Sequence, residues 1–377
     1  MKKNKILAIS HTFVKKINLS FYEKLYDSRL FKITCVGPRF INTDNKRIYP
    51  DFKTENLNPQ LNFKKLILKN KKSRLFYFKG LAKIIKTDKP NFILLDNDPI
   101  SLQSFFVIYY SFFFKYKICY FSLENDLLNI FKNISLKKIL KIIILSISNL
   151  IVKRWVYKIF CFTNEIKRNY DLLGYKNKTS IIPLGYNENI FKLRKKQKTK
   201  YFTIAYFGRI AKEKGLLTLL KALNHLKFNN WIFMIDMDHV VDKKYLNELK
   251  PYLKRLAKKK KLKIISCNYF EISKFMSKSD IVVVPSEYPE QYGRVIQESV
   301  ASGALVIGSN LGGISEIIDN KKLLFSPGNY IQIAKIINKS FYNKIFYKQQ
   351  LRKIYKNISK QRTISRQAEL FIKTISI

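Results

Sequence analysis

The chain has 377 residues, enough for two domains of ordinary size, and its 47% hydrophobic and 14% aromatic content can fill two cores and excludes a disordered chain. Lys and Arg total 72 against 26 Asp and Glu, a net charge of +46. AT-rich coding, which enriches Lys, Asn, Ile and Tyr at tolerant positions, accounts for much of the lysine; the scarcity of acids leaves room for attraction to an anionic membrane surface or a polyanionic substrate.

The lysines are scattered and no recognisable nucleic-acid module accompanies them, so nucleic acid is not the expected partner. Cys35, Cys119, Cys161 and Cys267 stand too far apart for a zinc site or disulfide framework, which fits a reducing cytoplasm. The basic start leads into Ile6 to Ser10, too short for a signal-peptide core.

Lys5 to Ser10 is predicted as a strand, followed by a loop over 11–18, a helix over 19–30 and a strand over 31–36. The first strand-to-helix loop holds His11 and no glycine pattern, which excludes a dinucleotide fingerprint and argues against a nicotinamide dehydrogenase. A polar stretch over 42–62 precedes a predicted helix over 74–86, ending before Lys89-Pro90, and a strand over 91–95 that ends in Asp96-Asn97-Asp98-Pro99. An aromatic helix, a strand over 117–122 and Glu124-Asn125 follow. The uncharged runs Pro99 to Phe114 and Ile142 to Val152 fall short of the ~20 apolar residues a spanning helix needs. The second, flanked by Lys137, Lys138, Lys141, Lys153 and Arg154, reads either as a core helix with a solvated edge or as one that lies on a bilayer. Strands over 155–162 and 179–183 complete the first half, and the charged stretch Lys192 to Lys200 marks a linker.

The second half restarts with a strand over 202–207 that runs into Gly208-Arg209-Ile210-Ala211-Lys212-Glu213-Lys214-Gly215 and a helix from Leu216. Further strands are predicted over 231–235, 262–266, 281–284 and 305–307, with a helical tail from Tyr330. Strands alternate with helices throughout, which argues for parallel sheets covered on both faces.

Two clusters carry candidate chemistry. Arg209 and Lys214, beside a glycine at the end of a strand, suit a diphosphate, since a guanidinium and an ammonium together neutralise charge on a departing phosphate; they also read as two more surface cations in a lysine-rich chain. Glu290 and Glu298, separated by seven residues, read as carboxylates that accept hydrogen bonds from sugar and ribose hydroxyls, with the amides of Gln291 to Gly293 facing the ligand; the alternative is helix-start carboxylates placed by the macrodipole. Asp236-Met237-Asp238 puts two carboxylates after a strand, and His225 and His239 have no partner at metal-ligand spacing.

The order Gly208-Arg209, Glu213-Lys214-Gly215, Pro285-Ser286, Glu290 and Glu298 with Tyr292-Gly293 between them, Ala301-Ser302-Gly303, and Gly312-Gly313 with Glu316 resembles the retaining glycosyltransferases of family 4, also called the glycosyltransferase group 1 domain. Lys89-Pro90-Asn91, Asp98-Pro99, Ser101 and Pro183-Leu184-Gly185 look like that family's acceptor domain. The resemblance implies an α/β GT-B fold, two Rossmann-like domains facing each other across a cleft with a C-terminal crossover helix. The implied divisions are an acceptor-binding domain over 1–187, a nucleotide-sugar-binding domain over 188–355 and a helix over 356–377 that packs back on the first domain.

It further implies transfer of a sugar, with retention, from a nucleoside-diphosphate sugar to a glycan or lipid-linked acceptor in bacterial envelope polysaccharide biosynthesis. Arg209, Lys214 and Glu290 are the implied catalytic residues, and Gly208, Gln291, Tyr292, Gly293 and Glu298 join them in binding the donor. His11, Glu124 and Asn125 are the acceptor-side candidates, replacing the glycine-rich first loop and mid-domain histidine frequent in the family. No metal and no cofactor beyond the donor is implied, and the expected place is the cytoplasm, peripheral on the inner face of the membrane. Another GT-B enzyme, such as a nucleotide-sugar epimerase, or a non-catalytic binding protein of the same fold are the alternatives.

Overall fold

A computed structural model describes residues 3–42, 47–58, 61–70, 74–122, 136–194, 199–238 and 240–375, with backbone alone for 56 and 136–144. The chain divides into two compact units, 1–183 with 367–377, and 184–366. The sequence reading places these divisions at 187/188 and 355/356. The helix Lys344–Gln361 stays with the second unit because Phe346, Ile354 and Ile358 are buried along one side of it. Beyond it, Tyr186 accepts from the Ile364 amide and donates its own to the Arg362 carbonyl.

The first unit contains β1 (Asn4–Ile9), β2 (Phe31–Pro38), β3 (Ile41–Asn42), β4 (Arg47–Ile48), β5 (Asn62–Lys69), β6 (Tyr77–Lys79), β7 (Phe92–Asp96), β8 (Lys117–Ser122), β9 (Val156–Cys161) and β10 (Thr179–Ile181). Eight of them form one sheet in the order β10-β9-β8-β7-β1-β2-β5-β6, parallel but for the β5–β6 pair. The central strands read as unbroken apolar runs, as strands buried on both faces must. Two expectations fail at the sheet's edge. β5 begins at the last residue of the predicted polar stretch and runs on through residues with no predicted element, because its lysines, Lys64, Lys65 and Lys69, break the apolar pattern; it lies next to the outermost strand, β6. The helix expected over 74–86 is displaced to Leu81–Asp88, preceded by β6 and by Gly80 at a φ of +89°. Phe371, fully buried on the C-terminal helix, closes the core against Phe21, Phe121 and Phe160 at ring separations of 5.4, 5.9 and 5.0 Å.

The second unit contains β11 (Phe202–Tyr206), β12 (Trp231–Asp236), β13 (Leu262–Ile265), β14 (Ile281–Val284), β15 (Leu305–Ser309) and β16 (Leu324–Phe325), all parallel, in the order β13-β12-β11-β14-β15-β16. The order reverses between β11 and β14. In an open parallel sheet, the loops at the carboxyl ends of the strands flanking such a reversal are splayed to opposite faces and leave a crevice for a ligand. The four residues of β14 are all buried Ile and Val, so only the loop beyond them can carry polar chemistry. Among the described residues no helix is long and apolar enough to cross a membrane.

Candidate functional site

Three loops of the second unit converge at this reversal. The first leaves β11 through Phe207, Gly208 and Arg209 and makes a tight turn over Lys212–Lys214. Gly215, at a φ of +65°, then starts the helix Leu216–Leu223, and a Cβ there would sit 1.9 Å from the Pro285 carbonyl oxygen. Only glycine allows both the left-handed backbone and this approach, so Gly215 seats the first loop against the loop after β14. The Glu287 amide donates to the Glu213 carbonyl at 2.9 Å and fastens the two together.

That seating brings together residues 76 positions apart. The Lys214 ammonium donates to Glu290 Oε1 at 2.8 Å, and the Ser286 hydroxyl donates to the same oxygen. Both charged side chains are largely enclosed, at 20% and 16% exposure, so the pair is screened less than one on the surface. The third loop, after β15, holds the backbone of Glu290: the Gly313 amide donates to its carbonyl at 2.9 Å, and Gly312, at a φ of +50°, lies where a Cβ would come within 2.6 Å of that oxygen.

Arg209 is placed differently. Its backbone carbonyl accepts from the Tyr206 hydroxyl at 2.7 Å, while its guanidinium points to solvent, 3.5 Å from Glu213. Gly208 packs over Tyr206, whose hydroxyl oxygen would be 3.0 Å from an added Cβ.

Glu298 lies on the helix Arg294–Ala301 and is buried. Burial pushes its carboxyl above the ordinary 4.5, opposed by the charge of Arg294 and by a hydrogen bond from the Tyr269 hydroxyl. That bond is 2.9 Å long. The Tyr269 hydroxyl is in turn pushed up by its own burial and by the Glu298 charge, so it remains a donor. Tyr269 belongs to no motif and lies in the loop beyond β13, so nothing in the sequence links it to Glu298. Ser286 was visible as part of Pro285-Ser286, without a role.

Of the residues between the two glutamates, Gln291 is exposed while Tyr292 is buried. The Tyr292 hydroxyl donates to the Leu184 carbonyl at 2.6 Å and accepts from Arg362 at 3.0 Å, which leaves its backbone as the part a ligand can meet. Asp236 and Asp238 brace loops: Asp236 accepts from the Asp238 amide at 3.0 Å, and Asp238 from the Ser266 hydroxyl at 2.8 Å and the Cys267 amide at 3.1 Å. Among the described residues no three His, Cys, Asp or Glu side chains are grouped to hold a metal ion.

In the first unit the strand order reverses between β7 and β1, and His11 lies at the carboxyl end of β1. Asp96, at the end of β7, accepts from the Ser10 and Thr12 hydroxyls at 2.7 and 3.1 Å, which ties the two strand ends together. The His11 ring rests against Phe76 at 4.8 Å. Burial lowers its pKa below 6.5, and the Asp96 charge opposes that shift. Glu124, Asn125 and His239 lie outside the described residues.

Residues 187–362 match the family model described as glycosyl transferases group 1. The chain carries a glycosyl transferases group 1 domain. All eight donor-side residues expected from the sequence fall inside it. A lipopolysaccharide 1,2-N-acetylglucosaminetransferase of Salmonella typhimurium is 27% identical over 37% of this chain and 40% of its own length. A protein of the cps region of Klebsiella pneumoniae is 28% identical over 30% of the chain and 28% of its own length. The chain thus spans well under half the length of either curated relative. Anabaena Alr3699/HepE, solved in complex with UDP, superposes over 100% of both chains with a TM-score of 0.76 at 18% identity, which shows a shared fold. The fold of the two units is GT-B. The group 1 domain contributes its β11, β14 and β15 loops to the candidate donor site.

Proposed function

We propose that the protein is a retaining glycosyltransferase of family 4 that moves a sugar from a nucleoside-diphosphate sugar to a lipid-linked or anionic glycan in envelope polysaccharide biosynthesis, at the cytoplasmic face of a membrane. The observation that carries this is the enclosed Lys214–Glu290 pair at the β11/β14 reversal, with Glu298 buried on the helix that follows β14. The second unit thus supplies one cation for a phosphate and two carboxylates for hydroxyls. The capsule and lipopolysaccharide relatives support the envelope role, and UDP in Anabaena Alr3699/HepE makes uridine the first nucleoside to test.

In this reading Glu298 accepts from the ribose hydroxyls through the oxygen that Tyr269 leaves open. Glu290 and the amides from Gln291 to Gly293 orient the sugar. Lys214, partly drawn from Glu290, and Arg209, swung in from solvent, take the diphosphate. As the bond from the anomeric carbon to the β-phosphate oxygen breaks, negative charge collects on that phosphate, and these fixed cations stabilise it without reorganising. The acceptor hydroxyl attacks from the face the phosphate leaves, and its proton passes to a phosphate oxygen. No metal and no further cofactor is required. His11, kept neutral by burial, stands on the acceptor side and can accept a hydrogen bond from an acceptor hydroxyl.

Nucleoside diphosphates and their sugars are screened by thermal shift, where binding to the folded state raises the midpoint by mass action. The donor that stabilises is then incubated with lipid-linked acceptor. Free nucleoside diphosphate and an acceptor glycosylated with the donor's anomeric configuration are expected. An isomerised sugar nucleotide in place of these would indicate an epimerase, and no stabilisation by any nucleotide would overturn the donor site.

A further inference from the structure

A face of the first unit carries large apolar side chains in solvent. On the helix Leu136–Trp155, Ile147, Leu150 and Ile151 are each at least half exposed, and Leu150 reaches 69%. Their spacing of three and four puts them on one stripe, which ends at the exposed Arg154. Trp155 continues from Ile151 by one turn and meets Phe112 at a ring separation of 4.6 Å. Phe112 and its neighbour Phe113 close the preceding helix, Leu102–Ser111, at 66% and 65% exposure. Leu172, 68% exposed, stands in the turn that Asn149 joins to the stripe through its bond to the Leu173 carbonyl at 3.2 Å. Soluble chains rarely leave so many large apolar side chains together in water unless something covers them.

The charge around the patch is mostly basic, and Asp171, beside Leu172, is paired with Lys167. No Asp or Glu occurs from 99 to 123 or from 127 to 164. Lys115 and Arg154 are exposed beside the aromatic and aliphatic rows. Lys178 donates to the Lys153 carbonyl at 2.7 Å, which gathers two further ammonium groups at the end of the helix, and burial together with the Lys153 charge lowers the Lys178 pKa. Lysine is depleted in protein interfaces, and two copies meeting by this face would oppose like charges. Aromatic and leucine side chains set among Lys and Arg are instead what a bilayer interface takes, the rings at headgroup depth and the cations on lipid phosphates.

We propose that this face docks on an anionic lipid bilayer. It deepens the membrane-side reading given above and rests on it for the acceptor's location. The apolar stripe enters the headgroup layer while Lys115, Lys153, Arg154 and Lys178 lie over lipid phosphate. Each basic group near such a surface contributes about five-fold in partitioning.

Flotation of the full chain with phosphatidylcholine vesicles, with and without phosphatidylglycerol, tests this. Association with the anionic vesicles is expected, weakened by salt, and little with the neutral ones. Phe112→Ser with Leu150→Ser, both in solvent and harmless to the core, should abolish flotation, and Lys153→Gln with Arg154→Gln should reduce it by at least ten-fold. Thermal stabilisation by nucleoside diphosphate should be unchanged in both, which separates loss of this face from loss of the donor site. Absence of flotation, equal binding to neutral vesicles, or variants that float as the parent does would overturn the proposal. So would self-association that Phe112→Ser and Leu150→Ser abolish in a chain that never binds vesicles.

Discussion

The ion pair between Lys214 and Glu290 joins the loops after β11 and β14, so its removal should be felt in stability and in transfer by different amounts. At 2.8 Å, opposite unit charges attract by about 6 kcal/mol at an effective dielectric near 20. Desolvation offsets most of that, and enclosure at 20% and 16% exposure puts the pair between exposed bridges, worth about 0–1 kcal/mol, and buried ones, whose breaking costs about 3–5 kcal/mol. A coupling of roughly 1–3 kcal/mol follows. Lys214→Met and Glu290→Gln, unfolded in urea, should each lose stability, and the double variant should lose less than the sum of the two, because the second substitution no longer strands a charge. The same Lys214→Met variant should lose about 10²–10³-fold in turnover, the scale of removing one preorganised contact to developing charge. Single losses that add to the double within about 0.5 kcal/mol would show the pair to be an uncoupled surface contact. Parent turnover in Lys214→Met would refute its catalytic role, whatever the stability.

Four other outcomes are expected. Glu298 must be ionised to accept from a ribose, and burial raises its pKa above 4.5, so nucleotide affinity should fall as the pH drops through that raised value. In Tyr269→Phe the carboxyl loses its hydrogen bond and the fall should begin at a higher pH, as read by calorimetric titration; an unshifted profile would mean that Tyr269 merely fills space. Gly215→Ala meets both a left-handed φ and the Pro285 carbonyl, so it should cost more than the roughly 1–2 kcal/mol of the backbone alone in a denaturant melt. The His11 pKa is depressed by burial, so the unfolded chain binds the proton more readily, and this histidine's share of stability is lost as pH falls from about 6.5 through the folded value; an imidazole midpoint above 6.5 by NMR would contradict it. Phe371→Ala, which empties a fully buried ring site among Phe21, Phe31, Phe121 and Phe160, should destabilise the first unit by about 3–5 kcal/mol in thermal unfolding.

Much of the candidate donor site is legible in the sequence because each of its parts is short and local. A buried β run ends in Pro285-Ser286, glycines stand where the backbone turns left-handed, and two carboxylates with seven residues between them lie before and within one short helix. Their physical demands are met within a dozen residues, so composition and spacing reveal them. The strands of the second unit are legible for the same reason: strands buried on both faces must be continuous apolar runs. β5 is hidden because it lies beside the outermost strand with neither face fully buried, and its lysines erase the period.

What the sequence alone determined is therefore the kind of residue at each loop and the alternation that makes two parallel sheets. Only the tertiary structure decided which loops meet. The reversal of strand order carries Lys214 to Glu290, and a loop from β13 brings Tyr269 to Glu298, over distances in sequence that no local pattern spans. It also turned the Tyr292 hydroxyl inward to Leu184 and Arg362, and left Phe112 and Leu150 in water. Whether a side chain is buried depends on what the rest of the chain lays over it. That is a property of packing, and the residue's own chemistry does not contain it.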